Sequence, residues 1–454
     1  MSPDGLEASR EKMRAADVGD AAIDTFAHYY EQLREGASGM LPERDIEPVE
    51  DLPTLDELPE GDPALVDTAV VLKLNGGLGT SMGMTKAKSL IEAKEGETFL
   101  DIVVGQVLGL RERFGARVPL VLMNSFATRD DTLEALRRHP EIESDVPLDF
   151  LQNKVPKIDA ETLQPVTWED EPSLEWAPPG HGDLYTALVT SGMLDTLLDH
   201  GYRYAFVSNS DNLGAVLDPR ILSWVASEEL PFAMEVAGRT EADRKGGHIA
   251  RLKSGGLVLR ETAQTPEEDL ASLQDVGRHR YVNTNNLWVG LEALRDTLQA
   301  RDGVLGLPII VNRKTVDPSD SDSTPVVQLE TAMGAAIGVF EGAQALHVPR
   351  RRFAPVKTTN DLLALRSDAY VLLEDHRVEL APAREEPPVI DLDPDYYKLV
   401  GDFEPRFPAG PPSLVECERL KVSGDVTFGR GVAIRGTVTV QGPARIEDGA
   451  ELTE

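Results

Sequence analysis

The chain of 454 residues has one cysteine, few basic residues compared with acidic ones and no long apolar run. Each of these shortages excludes a class of protein. Its one cysteine, Cys417, cannot form an internal disulfide, so we expect a reducing, cytoplasmic location. With 45 basic and 78 acidic residues the net charge is −33, which argues against binding to nucleic acid or to an anionic membrane. No apolar run reaches the ~18 residues of a membrane span, and the charged N-terminus is unlike a signal peptide. We therefore expect a soluble intracellular protein without nucleic-acid or membrane partners.

Composition divides the chain into three parts. Residues 1–63 begin with a helical pattern from about Leu6 to Leu33 and continue as a connector rich in proline and acidic residues. In residues 64–385, short apolar runs alternate with helical patterns, which predicts a largely parallel, doubly wound α/β sheet with helices on both faces. Such sheets bind ligands at the loops beyond the carboxyl ends of their strands.

The third part, residues 386–454, ends in a six-residue repeat. Two apolar series offset by two residues recur every six residues: Leu420, Val426, Val432, Val438, Ala444, Ala450 and Val422, Phe428, Ile434, Val440, Ile446, Leu452. This double period is typical of a hexapeptide β-helix, although a pair of antiparallel hairpins would also alternate. Because the last coil of such a short helix would be exposed, we consider a homo-oligomer formed through this segment.

A glycine-rich segment follows the apolar run 69–74. It reads Leu74-Asn75-Gly76-Gly77-Leu78-Gly79-Thr80-Ser81-Met82-Gly83, with Lys86 and Lys88 close behind. Glycines allow successive N–H groups to turn toward an anion, and lysines add positive charge for phosphate oxygens. The spacing matches neither the Walker P-loop nor the dinucleotide fingerprint Gly-x-Gly-x-x-Gly. The segment therefore predicts another kind of phosphate-binding loop, with a purely structural turn as the alternative.

This segment resembles the nucleotide-binding loop of the eukaryotic-type UTP–glucose-1-phosphate uridylyltransferases, also called UDP-glucose pyrophosphorylases. Further blocks agree with that family in the same order: 178–183 (PPGHGD), 208–214 (SNSDNLG), 245–247 (KGG), 283–288 (NTNNLW), 328–331 (QLET) and 355–359 (PVKTT). The resemblance extends from about Asp67 into the tail. It departs at Lys86-Ala87, where the family usually has Gly-Pro, and in part around Gln152.

The resemblance implies an α/β fold with a doubly wound, Rossmann-like (GT-A-like) mixed sheet and a C-terminal left-handed parallel β-helix. It also implies site residues. Nucleotide-binding residues would be Leu74, Asn75, Gly76, Gly77, Gln152, Gly180, Asn209 and Asp211, with Gln152 and Gly180 at the uracil. Sugar- and phosphate-binding residues would be His181, Gly247, Asn285, Asn286 and Glu330. Lys88 and Lys357 would act on the phosphates, and Asp211 would hold Mg²⁺.

Residue chemistry alone leaves several of these assignments open. Asp211 ends an apolar strand, where a carboxylate suits Mg²⁺ as well as an N-cap or Asx-turn. His181 lies between two glycines, where a neutral or protonated imidazole could donate to an oxygen, or simply be exposed. Lys357 by itself would be a surface charge. The three arginines at 350–352 would either bind pyrophosphate or be exposed to solvent.

The reaction implied by the resemblance is UTP + glucose 1-phosphate ⇌ UDP-glucose + pyrophosphate, with Mg²⁺ as cofactor. The sugar phosphate is already ionised at pH 7, so catalysis needs positioning and charge neutralisation rather than a general base or a covalent residue. Three alternatives stay open: the same reaction on galactose or N-acetylglucosamine 1-phosphate, a nicotinamide-dependent oxidoreductase, and a non-catalytic scaffold with this fold.

Overall fold

The computed structural model describes residues 4–453, and its N-terminal part contains two helices where the pattern predicted one. These are α1 (Gly5–Ala15) and α2 (Asp20–Arg34), and the single-helix prediction is wrong. Asp17 adopts a left-handed φ of 55° between them, and Gly19 is the N-cap of α2. The apolar faces of both helices pack against a three-stranded sheet of the catalytic part. The N-terminal segment is therefore part of the body of the protein.

The described residues of the connector and the catalytic part, as far as residue 347, contain seventeen strands. They are β1 (Ile46–Pro48), β2 (Ala69–Asn75), β3 (Glu92–Lys94), β4 (Glu97–Thr98), β5 (Leu120–Asn124), β6 (Asp149–Leu151), β7 (Val155–Pro156), β8 (Ile158–Asp159), β9 (Trp176–Ala177), β10 (Tyr204–Asn209), β11 (Phe232–Gly238), β12 (His248–Leu252), β13 (Leu257–Arg260), β14 (Tyr281–Gly290), β15 (Ile309–Thr315), β16 (Pro325–Thr331) and β17 (Gln344–His347).

The remaining helices alternate with these strands and continue into the tail. They are α3 (Phe99–Phe114), α4 (Arg129–Leu136), α5 (Leu184–Thr190), α6 (Met193–Asp199), α7 (Pro219–Ser227), α8 (Leu270–Gln274), α9 (Leu291–Ala300), α10 (Thr359–Arg366), α11 (Pro394–Tyr397) and α12 (Val400–Phe403). Between residues 4 and 453, no helix combines the length and the apolar character of a membrane span.

The central sheet is mixed. Strands β6, β5, β2 and β10 run parallel in that order, and β14 then pairs antiparallel with β10. Beyond β14 lie β12, β13 and β1 in antiparallel pairing, and β11 joins β14 to β17. The prediction of a largely parallel sheet is wrong, and the mixed sheet implied by the resemblance is confirmed. Burial on both faces, rather than strand direction, produces the apolar runs in the sequence, so direction could not be inferred from them.

Alternating side chains of the parallel strands enter two apolar cores, one on each face of the sheet. Val71, Leu120 and Phe206 face the core that contains α3, α7 and α10. Val70 and Val121 face the core that contains α5, α6 and α9. Because both faces are covered, polar groups of the sheet become accessible mainly where its strands end.

Up to residue 453, eight further strands follow, two at the end of the catalytic part and six in the tail. They are β18 (Tyr370–Leu372), β19 (Val378–Leu380), β20 (Val389–Leu392), β21 (Ser413–Ser423), β22 (Val426–Phe428), β23 (Ala433–Gln441), β24 (Ala444–Ile446) and β25 (Glu451–Leu452). Strands β20, β21, β23 and β25 pair in parallel, as do β22 and β24. Parallel pairing contradicts the antiparallel-hairpin alternative. The inward residues of the tail join the same apolar core as α3 and α10.

Candidate active site

The carboxyl ends of the parallel strands bring together residues that are far apart in the chain. Leu74 on β2 pairs with Asn209 on β10 and with Met123 on β5. The N–H of Ser210 donates to the carbonyl of Leu74 at 3.1 Å, which extends this pairing beyond the strands. Two of the predicted nucleotide-binding residues, Leu74 and Asn209, are therefore neighbours at the edge where such sheets bind ligands.

The glycine-rich loop begins directly at this edge. The carbonyl of Gly76 accepts a hydrogen bond from Ser125 Oγ at 2.9 Å, and a Cβ at this position would lie 2.8 Å from Gln152 Oε1. The carbonyl of Gly77 accepts from the N–H of Lys88 at 3.1 Å, and no described atom lies within 4 Å of a Cβ built on Gly77. The loop thus folds back on Lys88, touches Gln152 and leaves open space over Gly77.

Asn75 has a different environment from its glycine neighbours. It is buried, and its Nδ2 donates to Asn124 Oδ1 at 2.8 Å and to Thr132 Oγ1 at 2.9 Å. Its side chain therefore ties β2 to β5 and α4. The predicted nucleotide contact of Asn75 gains no support from its side chain.

Asp211 and Lys88 form an ion pair next to this loop. Lys88 Nζ lies 2.6 Å from Asp211 Oδ2, and the two side chains are 16% and 20% exposed. The second carboxylate oxygen of Asp211, Oδ1, is buried and has no hydrogen-bond partner within residues 4–453. A buried carboxylate oxygen without a partner is costly unless something binds it. The donor set therefore fits Mg²⁺, which uses one or two protein carboxylates and completes its shell with phosphate oxygens and water.

Lys357 is brought to the same place by backbone contacts. The N–H of Val356 donates to the carbonyl of Asp211 at 3.2 Å, and Pro355 forms a β-bridge with Asn212. The side chain of Lys357 is exposed. The backbone next to Lys357 is thus attached to the predicted metal ligand, whose carboxylate pairs with Lys88.

A further acidic residue, Glu261, faces this area and was missed in the sequence. Burial raises the pKa of Glu261, whereas the charge of Lys357 and a hydrogen bond from Asn283 act in the opposite direction. A Cβ on Gly247 would lie 2.4 Å from Glu261 Oε2, so the carboxylate packs over that glycine. Glu261 belongs to no recognisable motif, and only the pairing of β12 with β13 places it beside Gly247.

The asparagine-rich block lies inside a strand. Strand β14 already begins at Tyr281, so the asparagines are part of the strand and do not precede it. The pairing with β11 shifts after Asn283, and Asn285 adopts a left-handed φ of 58° in the resulting bulge. Asn286 is fully buried. Its Nδ2 donates to Glu235, so the predicted sugar contact of Asn286 gains no support from this arrangement.

Gly180 and Glu330 are held next to each other. Gly180 has a φ of 78° and a ψ of 173°, and a Cβ there would lie 2.4 Å from the carbonyl oxygen of Thr331 and 3.1 Å from Glu330 Cβ. Glu330 is half-buried and accepts a hydrogen bond from Asn312 Nδ2 at 3.0 Å. The structure therefore places Gly180, a predicted uracil-binding residue, next to Glu330, a predicted sugar-binding residue.

His181 is neutral in this environment. Its Nδ1 accepts a hydrogen bond from the N–H of Met333 at 3.0 Å, and burial lowers the pKa of its imidazole to about 4. The proton of the neutral ring is therefore on Nε2, which is left as a donor. Of the two protonation states that the sequence left open, the structure supports the neutral one.

The three arginines at 350–352 do not form one cationic cluster. Arg350 binds Asp243 at 2.9 Å and stacks on a phenylalanine ring. Arg351 lines a groove of about 550 Å³ whose described lining contains none of the predicted site residues. Arg352 is buried against Glu235. Pyrophosphate binding by the run as a whole is therefore not supported.

Gly180→Ala should destabilise the protein by about 2–4 kcal/mol, because only glycine readily adopts this backbone conformation and because the new methyl group meets the Thr331 backbone. The measurement is the free energy of unfolding in denaturant. Gly192→Ala is the matched control, since Gly192 has a φ of 73° but no described atom near its Cβ position. We expect about 1–2 kcal/mol for the control. Equal losses in the two variants would contradict the steric argument.

The low pKa of His181 predicts a pH-dependent stability. Between about 6.5, its usual value, and about 4, the unfolded imidazole binds a proton that the folded one does not, so this contribution to stability is lost as the pH falls through that range. His181→Gln should flatten the fall in unfolding free energy between these pH values. His28→Gln, which removes an exposed histidine of α2, is the control. A fall as steep in His181→Gln as in the wild type would contradict the assignment.

The fold is an α/β sheet with helices on both faces and a glycine-rich loop at its strand ends, the class of protein in which nucleotides bind at that edge. Comparisons with known proteins agree with this class. The family model described as UTP–glucose-1-phosphate uridylyltransferase matches residues 23–435. The UTP–glucose-1-phosphate uridylyltransferase of Hordeum vulgare is 44% identical over 396 residues, which cover 86% of this chain and 81% of that protein. The probable UTP–glucose-1-phosphate uridylyltransferase of Schizosaccharomyces pombe is 40% identical, with coverages of 82% and 72%.

Solved structures extend this similarity to the whole fold. A mutant of the UDP-glucose pyrophosphorylase of Leishmania major in complex with UDP-glucose has a TM-score of 0.94 and 47% identity, covering 100% of this chain and 98% of that one. A Trypanosoma brucei structure described as a UDP-glucose phosphorylase has a TM-score of 0.92 and 48% identity, with coverages of 99% and 98%. The chain therefore belongs to the UTP–glucose-1-phosphate uridylyltransferase family.

Proposed function

We propose that this protein catalyses the reversible transfer of a uridylyl group from UTP to glucose 1-phosphate, forming UDP-glucose and pyrophosphate. The observation that carries the proposal is the ion pair of Lys88 with Asp211 beside the glycine-rich loop, with the backbone next to Lys357 bonded to Asp211, in a chain of this family. A phosphate oxygen of the sugar phosphate attacks the α-phosphorus of UTP, and the bond to pyrophosphate breaks in line with the attack. The attacking oxygen is already ionised, so no protein base is required.

The residues of the site bind and orient the two substrates. The backbone of the glycine-rich loop faces the phosphates, and Lys88 and Lys357 neutralise the charge that develops on their oxygens. Gln152 and Gly180 contact the uracil. His181 donates from its neutral Nε2–H to a phosphate oxygen, which needs no change of protonation near pH 7.

The hexose side of the site combines backbone and carboxylate groups. Gly247, Asn285 and Glu330 bind sugar hydroxyls in the proposal, and Glu261 adds a carboxylate that packs directly over Gly247. A carboxylate oxygen accepts hydrogen bonds from hydroxyl donors, so it can discriminate between sugars whose hydroxyls are arranged differently. A preference for glucose 1-phosphate over galactose or N-acetylglucosamine 1-phosphate would therefore depend on how well the hydroxyls of each sugar match these acceptors.

Mg²⁺ is the proposed cofactor, and Asp211 would hold it. Its unpartnered Oδ1 offers the ligand, while Oδ2 is paired with Lys88. When bound, the ion supplies further neutralisation of charge on the phosphate oxygens. Lys86, Lys88 and Lys357 then provide a local positive region on a chain of net charge −33, and field focusing in a cleft depends on such local groups.

We also propose that the tail is a short left-handed parallel β-helix. Paired residues in its strands are eighteen positions apart, as for Leu420 with Val438, Phe428 with Ile446 and Ile434 with Leu452, which equals three hexapeptides per coil. The proposed parts of the chain are residues 1–63, 64–385 and 386–454. The exposed last coil would be the contact surface of a homo-oligomer, and light scattering would measure the mass of that oligomer. A cytoplasmic location is proposed from the single cysteine.

The experiment that tests the function incubates the purified protein with UTP, Mg²⁺ and a panel of sugar 1-phosphates, and measures pyrophosphate release. We expect glucose 1-phosphate to be the preferred substrate. Preference for galactose or N-acetylglucosamine 1-phosphate would replace the proposed sugar. Binding of UTP without pyrophosphate release from any sugar would favour a scaffold, and a signal only with a nicotinamide cofactor would favour an oxidoreductase.

A further inference from the structure

A buried carboxylate lies behind the proposed site and uses all of its hydrogen-bonding capacity. Glu235 on β11 is fully buried. Its two oxygens accept from Nε and Nη2 of Arg352, at 2.7 and 2.6 Å, and also from Asn286 Nδ2 and Trp288 Nε1, at 3.1 and 3.0 Å. A bidentate pair of this kind fixes the guanidinium in position and in orientation. Arg352 is therefore held rigidly at the start of the segment that leads to the exposed Lys357.

The backbone of Arg352 is held as firmly as its side chain. Its carbonyl oxygen accepts from Asn286 Nδ2 and from Asn212 Nδ2, both at 3.1 Å. The Oδ1 of Asn286 in turn accepts from Asn212 Nδ2 at 3.1 Å. These contacts explain why Asn286 is buried in the protein rather than exposed to a sugar.

Asn212 connects this buried network to the loop that carries the proposed metal ligand. It directly follows Asp211, and its Oδ1 accepts from the N–H of Ala354 at 3.0 Å. With the bond from the N–H of Val356 to the carbonyl of Asp211, the segment from Arg352 to Lys357 is attached to the Asp211 loop at successive points.

A buried lysine supports the other side of the same loop. Lys73 Nζ donates to Ser208 Oγ and to the carbonyl of Ala215, both at 2.8 Å. It therefore spans the loop in which Asp211 lies. Both ends of the loop and its partner segment are thus anchored to the central sheet.

We propose that Glu235, Arg352 and Asn212 are positioning residues that set the location of Lys357 relative to Asp211. Buried ion pairs add little net stability compared with apolar residues of the same size, so stability alone does not account for a bidentate pair at this place. Misplacement of a catalytic group by about 1 Å can cost a factor of about 10² in rate. The inference rests on the proposed function, because it assigns these residues to the placement of a group in that reaction.

The first test is Arg352→Lys, which keeps the charge but removes the planar fork. We expect kcat to fall by about 10- to 100-fold while the affinity for UTP alone changes by less than about twofold. In a Lys357→Ala background the same substitution should cost less than about twofold, because the lysine that it positions is gone. An equal loss in both backgrounds, or no loss in the wild type, would overturn the proposal.

Arg406→Lys is the matched control, since Arg406 pairs with Asp425 and with a backbone carbonyl in the tail. It should leave kcat unchanged. If Arg352→Lys fails to fold, the double variant Glu235→Gln/Arg352→Met removes both buried charges, keeps an amide oxygen that can accept from Trp288 Nε1, and is expected to stay folded. It should have low kcat with an intact thermal transition, and wild-type kcat in that variant would overturn the proposal. Absence of pyrophosphate release by the wild-type protein would instead contradict the proposed function.

Discussion

Lys357→Ala should lower kcat by ~10²-fold or more, because loss of one group that stabilises transition-state charge typically costs this much. The side chain is exposed, and the N–H of the preceding Val356 is bonded to the carbonyl of Asp211. Its removal should therefore leave the fold intact while it removes positive charge from the proposed phosphate site. The measurement is the initial rate of pyrophosphate release at saturating UTP and glucose 1-phosphate.

Two variants separate a catalytic role from a general effect of charge. Lys357→Arg keeps the positive charge with a different shape and should retain more activity than the alanine variant. Lys253→Ala removes an exposed lysine from the turn between β12 and β13 and should leave kcat unchanged. Near-normal turnover of Lys357→Ala would exclude this lysine from the mechanism.

Asp211→Asn should lower kcat by about 10²–10³-fold and raise the Mg²⁺ concentration needed for half-maximal rate, since a bound metal ion contributes several kcal/mol and each 1.36 kcal/mol is a factor of ten. The amide has nearly the same shape but lacks the charge that pairs with Lys88 at 2.6 Å. The substitution also replaces one carboxylate oxygen, either the unpartnered Oδ1 or Oδ2, with an NH2 group that donates hydrogen bonds and cannot bind a cation. The measurement is the initial rate as a function of Mg²⁺ concentration.

The control for this variant is Asp391→Asn. Asp391 also faces a lysine, Lys421, at 3.8 Å, but on exposed strands of the tail. It should leave the Mg²⁺ dependence unchanged. If Asp211→Asn had the Mg²⁺ dependence of the wild type, the proposed metal ligand would be wrong even if its kcat were low.

Local patterns predicted individual elements well where one face of the element is apolar. Most of the apolar series predicted in the tail lies in β21, β22, β23 and β24. The pattern failed between residues 6 and 33, because the short turn between α1 and α2, which contains Asp17 and Gly19, hardly disturbs the spacing of the apolar residues. It also failed for strand direction, since a strand buried on both faces is apolar in either orientation.

The site shows the same division between local and distant information. The glycine-rich loop and the block around Asp211 were identified from the sequence, and both lie at the strand ends. Burial could not be read from residue type: Asn285 and Asn286 are adjacent, yet a bulge with a left-handed φ at Asn285 leaves Asn286 inside the network of Glu235. Glu261 had no motif and became visible only through its packing over Gly247.

The sequence by itself determined the alternation of apolar runs with helical patterns, the apolar faces that these elements bury and the place of the glycine-rich loop after a strand, because these depend on residues close together in the chain. Only the tertiary structure decided which polar groups reach the site. Lys88 pairs with Asp211, and the segment after Arg352 bonds to the backbone of Asp211, over separations that no local pattern records. The same long-range packing turned Arg352 and Asn286 from candidate ligands into buried groups, since a side chain that completes an internal network is withdrawn from solvent.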